Sequence, residues 1–224
     1  MSKGEYINWF DSDDVMHQER LEKIINSCYE EKSQILITNN VDKIESMSGE
    51  IKETKTFMSD TFYIDFILGK KAVITDDLLI DRSIIGDVRF DEYLHKAQEF
   101  DFFYRLFEQS LTYTFLDFNA VYHRVSEDSI SRATKRGLFG QQESLIYLCK
   151  KLKQRYPDNQ LIVDRADRQV RKTYKSLVLQ NNVKLILKNF NFFKNAFHKQ
   201  TIVFILYLIY NSVSHKGFDK MKIK

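Results

Sequence analysis

Gly4-Glu5-Tyr6-Ile7-Asn8-Trp9-Phe10-Asp11-Ser12-Asp13-Asp14 is the stretch that decides how this chain reads. Its apolar half predicts a strand over 5–10. Three carboxylates, Asp11, Asp13 and Asp14, crowd the end of that strand. Carboxylates in such a place can hold a divalent cation against a phosphate, because hard cations take oxygen ligands. The triplet alone is weak: with 18 Asp among 224 residues, about one Asp-x-Asp arises by chance, and the chain has one. A calcium loop starting at Asp11 would need a ligand at Val15 and glycine at Met16, so an EF-hand fails despite Glu22 at the twelfth position. The plainest alternative is a helix cap at Asp13 or Asp14.

The rest of the chain supplies context. With 43% hydrophobic and 14% aromatic residues it can bury a core, and one proline and seven glycines argue against long loops. Cys28 and Cys149 form no CxxC pair, which points to a reducing compartment and excludes a cysteine-based zinc knuckle. The first 30 residues hold no basic segment followed by an apolar run, so no secretory signal is read there. Charge is unevenly spread. Residues 1–150 carry 18 Lys/Arg against 27 Asp/Glu, a balance of −9, and residues 151–224 carry 16 against 4, a balance of +12. A cationic tail behind an acidic body suggests an anionic surface as partner.

Leu21, Ile24, Ile25 and Cys28 recur at helical spacing and predict an amphipathic helix over 17–30. Strands are expected at 34–38, 50–58 and 73–80, and a short helix at 60–69. Gln98 to Glu108 predicts a helix with its aromatics on one face. Tyr113–Phe118 and Val121–Val125 read as paired strands. From 138 onward the pattern is helical, with a break at Tyr156-Pro157-Asp158.

The Asp cluster, then Arg89-Phe-Asp-Glu-Tyr-Leu94, then Gln98-Glu99-Phe100-Asp101-Phe102-Phe103-Tyr104-Arg105-Leu106, then Val121-Tyr-His-Arg124 and Ser129-Ile-Ser131, stand in a telling order. Over roughly residues 3–132 this set resembles the family 2 glycosyltransferases, inverting enzymes of the GT-A type. The resemblance implies an α/β fold: a partial GT-A (nucleotide-diphospho-sugar transferase) fold lacking its first strands, followed by a helical C-terminal extension. It implies the C-terminal part of a catalytic domain over 1–135 and a basic helical extension over 136–224. The implied reaction moves a sugar from a nucleotide-diphosphate sugar to a hydroxyl of a cell-surface glycan, free or lipid-linked. Asp11, Asp13 and Asp14 would face the donor diphosphate, with Asp11 and Asp13 holding Mg2+ or Mn2+ and Asp14 as an alternative ligand. Glu99 falls at the position of the family's base, which takes the proton of the acceptor hydroxyl. Arg105 is expected to pair with a local carboxylate instead of substrate.

The chain departs from the family in three places. The usual Glu-Asp pair is Gln98-Glu99, which keeps one carboxylate at the base position. The expected His of the last segment is Ser126, and His123, three residues earlier, is not a simple substitute. The family's opening strands, with a Pro-x-Tyr-Asn-like turn and a base-reading Asp, have no counterpart before Gly4, so an N-terminally truncated enzyme with weak donor binding is expected. Nucleotide sites of open α/β sheets lie at the carboxyl ends of such strands.

Ile202–Tyr210 is a run of nine apolar or aromatic residues, against the roughly 20 a spanning helix needs. Lysines flank it on both sides. The expectation is either a buried helix or a membrane-surface helix near 200–213, with the protein cytoplasmic, at the inner face of a bacterial membrane. The competing reading is an inactive fragment, or a membrane- or nucleic-acid-binding module acting through its basic helices. No RNP-type or zinc motif supports nucleic acid as a partner.

Overall fold

The computed structural model describes residues 3–71, 73–124, 135–180 and 182–197. The chain divides into two compact units, Met1–Asp91 with Glu99–Ala133, and Glu92–Gln98 with Thr134–Lys224.

The first unit is built on one mixed sheet. Its strands are β1 (Tyr6–Ile7), β2 (Val15–Met16), β3 (Ile35–Val41), β4 (Thr54–Ser59), β5 (Leu78–Asp81) and β6 (Leu111–Tyr122). The order is β1-β5-β3-β6-β2, with β4 also pairing β6. Among the described residues only β3 and β6 run parallel. The Ile-Leu-Ile start of β3 is buried on both faces, as a central strand requires. Helix α1 (Arg20–Glu31) covers one face through Ile24 and Cys28, which meet Leu36, Leu116 and Phe118. Aromatic side chains fill the other face. Helix α2 (Phe62–Leu68) sets Phe62 4.3 Å from Tyr113 between ring centroids. Helix α3 (Gln98–Leu106) and the turn after it stack Phe103 on Phe107 at 5.7 Å. Gly69, at φ 74°, ends α2, because its left-handed backbone returns the N–H to the last carbonyls.

The second unit is helical: α4 (Lys135–Arg155), α5 (Gln160–Leu179), α6 (Val183–Lys188) and α7 (Phe190–Phe197). The break at Tyr156-Pro157-Asp158 is present, and Asn159 caps α5 by accepting the Ile162 N–H at 3.3 Å. Asn182 caps α6 in the same way through the Leu185 N–H, at 3.2 Å. Ile146, Val170, Tyr174, Leu177 and Phe193 form the core of this unit. No helix among the described residues is long and apolar enough to cross a membrane. Ser126, Ser129–Ser131 and the helix expected near 200–213 lie outside the described residues.

Four local expectations need correction. The strand expected over 5–10 is only Tyr6–Ile7, because Asn8 turns its amide to the Leu78 carbonyl at 2.6 Å. The apolar stripe of α1 is rotated. Arg20, Ile24 and Cys28 face inward, while Leu21 and Ile25 are 48% and 37% exposed. The pair of strands expected over 113–125 is a single strand, β6. Its polar middle, Asp117 and Asn119, does not turn, because those side chains are bonded by Asn39 and by the Ser46 carbonyl. Asp13 and Asp14 cap nothing: α1 begins after Glu19, and no side chain caps it.

Candidate functional site

The register of the short strand β2 on the end of the long strand β6 builds the site. β2 pairs antiparallel with the end of β6, Val15 opposite Tyr122 and Met16 opposite Val121. Carrying that register one residue outward sets Asp14 opposite His123. The Asp14 side chain is 1% exposed and its Oδ2 lies 2.9 Å from Nδ1 of His123. Its Oδ1 accepts the Arg124 N–H at 2.9 Å. β6 reaches this point through irregular pairing: between Ile37↔Phe115 and Val41↔Tyr122, four steps of β3 match seven of β6. Such bulges re-aim the end of a strand. Here Ala120 and Val121, neighbours in sequence, both enter the core, and His123 follows outside it.

The third member comes from the turn before β5. Asp76 lies in a 3-10 turn, Thr75–Asp77, and its Oδ1 accepts the Asp11 N–H at 2.6 Å. One ligand atom each from Asp14, Asp76 and His123 can lie within 4.8 Å of one another. Burial, joined by the nearby Asp11 and Asp14, pushes the Asp76 carboxyl up to about 6. The hydrogen bond to Asp14 raises His123 from its ordinary value. Two carboxylates and an imidazole form a donor set that Mn2+ accepts and Mg2+ tolerates. A buried carboxyl resisting ionisation beside another carboxylate is the electrostatic situation that a cation relieves.

Behind the cluster stands an ionic support. Arg20 is 0% exposed. Its Nη1 donates to Asn8 Oδ1 at 3.2 Å and its Nη2 to the Asp76 carbonyl, while its buried Nε has no hydrogen-bond partner among the described residues. Burial pulls the Arg20 pKa down, and Asp77 and Asp76 hold it up. Burial pushes Asp77 up to about 6, although Asn40 Nδ2 donates to its Oδ2 at 2.7 Å. Its Oδ1 is buried without a hydrogen-bond partner among the described residues.

Asp11 and Asp13 lie on the exposed turn, so of the three expected carboxylates only Asp14 enters the compact cluster. Glu99 is exposed in the first turn of α3. The residue just before that helix, Ala97, has φ 61°, where an L side chain is strained. Arg105 pairs with Asp101 at 2.7 Å, the local partner expected of it. Sequence reasoning missed Asp76, Asp77 and Arg20. The signal for the first two was an Asp pair set directly against the apolar Leu78-Leu-Ile80. His123 was seen and set aside, yet it is the imidazole beside Asp14.

The sheet, the helices on its faces and the helical extension define a GT-A-type α/β fold over the part of it that this chain contains. The chain is similar in structure to S. aureus TarS 1-349 in complex with UDP-GlcNAc, at a TM-score of 0.55 and 16% identity, over 87% of this chain and 56% of that one. A TarS 1-349 structure in complex with UDP aligns at a TM-score of 0.45 and 18% identity, over 68% of this chain and 42% of that one. The chain thus spans about half the length of the TarS chains it matches. No protein-family profile matches the sequence, and no curated protein matches it.

Proposed function

We propose that this chain belongs to a glycosyltransferase that moves a sugar from a nucleotide-diphosphate sugar to a hydroxyl of a glycan acceptor. The observation that supports this most directly is the Asp14–Asp76–His123 cluster, on a fold similar to a protein solved with UDP-GlcNAc. Asp14, Asp76 and His123 would hold Mg2+ or Mn2+, with Asp11 and Asp13 on the exposed turn beside them. When bound, that cation supplies positive charge to a departing diphosphate. Glu99 takes the proton of the acceptor hydroxyl as its oxygen bonds to the anomeric carbon and the bond to the diphosphate breaks. Its exposure leaves the carboxylate open to an incoming hydroxyl. Arg105 holds Asp101 and leaves substrate to other groups. The excess of 16 Lys/Arg over 4 Asp/Glu in residues 151–224 suits work beside an anionic membrane at the cytoplasmic face.

Calorimetry with UDP-GlcNAc, with Mn2+ or with EDTA, tests the reading. Weak binding that requires Mn2+ and falls at least a further tenfold in Asp76→Asn is expected. The same affinity in EDTA and in Asp76→Asn would remove the metal role. In the turnover assay Glu99→Ala is expected to abolish transfer while leaving donor binding intact, and wild-type turnover in that variant would refute the base.

A further inference from the structure

A cavity of about 470 Å³ opens on the aromatic face of the sheet, lined by Asn39, Glu53, Lys55, Phe57, Lys71, Phe115, Leu116 and Asp117. Its size falls within the range of about 300–1,000 Å³ in which small-molecule sites are found. The floor is aromatic. Phe57 and Phe115 run nearly parallel, 5.9 Å apart at 7°, and Phe57 continues onto Tyr113 at 5.6 Å. Tyr113 in turn meets Phe107, just beyond α3, at 5.9 Å. The cavity therefore shares a sheet face with the helix that carries Glu99.

The rim is charged with both signs. Lys71 Nζ sits 5.1 Å from the centroid of the Phe115 ring. Asp117 accepts Asn39 Nδ2 at 2.8 Å through Oδ1. Lys55, Lys71, Glu53 and Asp117 form no ion pair among the described residues. Donors and acceptors are thus held around an apolar floor with their charges unspent on each other.

That combination selects a ligand class. A lipid chain would strip water from four charges without replacing it. A phosphate would meet two carboxylates, and a peptide cation two ammonium groups. A pyranose ring satisfies all of it: its C–H face lies on a phenyl ring, and each hydroxyl both donates to carboxylate and accepts from ammonium. We propose that this cavity is a sugar-binding subsite for the acceptor glycan, with Phe115 and Phe57 as the platform and Lys71, Lys55, Glu53 and Asp117 as hydroxyl partners. The assignment to the acceptor rests on the glycosyltransferase reading; the sugar-binding chemistry does not.

Saturation-transfer NMR on the whole chain tests it, with the β-1,4-linked tetramer of N-acetylglucosamine, the α-1,4-linked tetramer of glucose, and inorganic tripolyphosphate as probes. At least one neutral tetrasaccharide should receive saturation at its ring C–H protons. Phe115→Ala should weaken that binding about tenfold, the loss of one ring's contact energy. Because Phe115 is half-buried, the exposed positions give the second measurement. Lys71→Met and Asp117→Ala should each weaken binding about fivefold, as lost charged hydrogen bonds in a wet site do. The proposal is overturned if neither tetrasaccharide binds, if the Lys71 and Asp117 variants bind like wild type, or if tripolyphosphate displaces the sugar. UDP-GlcNAc calorimetry on the same samples separates the two readings. A tetrasaccharide that binds without any Mn2+-dependent binding of UDP-GlcNAc leaves the sugar subsite standing and removes only its assignment to an acceptor; the converse removes the subsite alone.

Discussion

Replacing Arg20 by methionine probes the support behind the cluster. Methionine keeps much of the volume and the apolar stem, and it removes the charge. In the wild type the buried guanidinium bonds the half-buried Asn8 through Oδ1 and the Asp76 carbonyl, and stands near the buried Asp77. Breaking one side of a buried ionic arrangement leaves the other uncompensated, at a loss of about 3–5 kcal/mol. The loss should depend on pH, and its sign follows from Asp77. That carboxyl titrates at about 6 in the fold against 3.8 ordinarily, so the folded state binds the extra proton between those values. Its contribution to stability is therefore greatest near pH 4 and declines as pH rises to 6, by about 3 kcal/mol at most. Without Arg20 the carboxyl titrates higher still. The variant should thus lose its full increment at pH 8 and about 1–2 kcal/mol, the hydrogen bonds alone, at pH 5. Trp9, the single tryptophan, packs edge-on against Phe102 at 5.5 Å and reports urea unfolding by fluorescence. Adding Asp77→Asn should restore at least half of the loss at pH 8. A loss under about 1 kcal/mol at pH 8, or an equal loss at pH 5 and 8, would refute the reasoning.

Three more outcomes are expected. Asp14→Asn should lower the His123 pKa measured by NMR, since the hydrogen bond to Asp14 raises it; the stability of that pair is full below the unfolded value near 6.5 and fades as pH rises through the folded one. Ala97→Gly should stabilise the chain by about 1 kcal/mol in urea unfolding, because glycine removes the Cβ clash at positive φ. Phe107→Ala should destabilise by about 3–5 kcal/mol, having lost ring contacts to Phe62, Phe66, Phe103 and Tyr113.

The parts of the fold legible in sequence are those in which burial sets the pattern. The aromatic repeat of α3 and the Ile-Leu-Ile of β3 are read directly, because packing demands those residues at those spacings. What escaped depends on partners distant in sequence. Arg20 looks like a solvent-facing helix residue, and its burial is made tolerable by partners distant in sequence: the charges of Asp77 and Asp76, 57 and 56 positions on, and the Asp76 carbonyl. Leu21 and Ile25 offered a plausible apolar stripe, but the helix turned to bury Arg20 instead. Asn119 and Ala120 resembled a turn between two strands, but the Ser46 carbonyl takes up the Asn119 amide and the strand runs on. The Asp11–Asp14 run was visible as a carboxylate cluster, and the register of β2 on β6 decided which of its carboxylates turned inward.

The bonds of Asp14 to His123 and Arg124 join residues 109 and 110 positions apart. During synthesis the carboxylate leaves the ribosome long before its partners, and closing so wide a loop demands entropy that nearby contacts do not recover. The corner can therefore close only once residues 123 and 124 have been made and brought back to Asp14. A ligand that grips it binds only chains in which Asp14, Asp76 and His123 have met, so it stabilises the folded first unit over every state in which that loop is open.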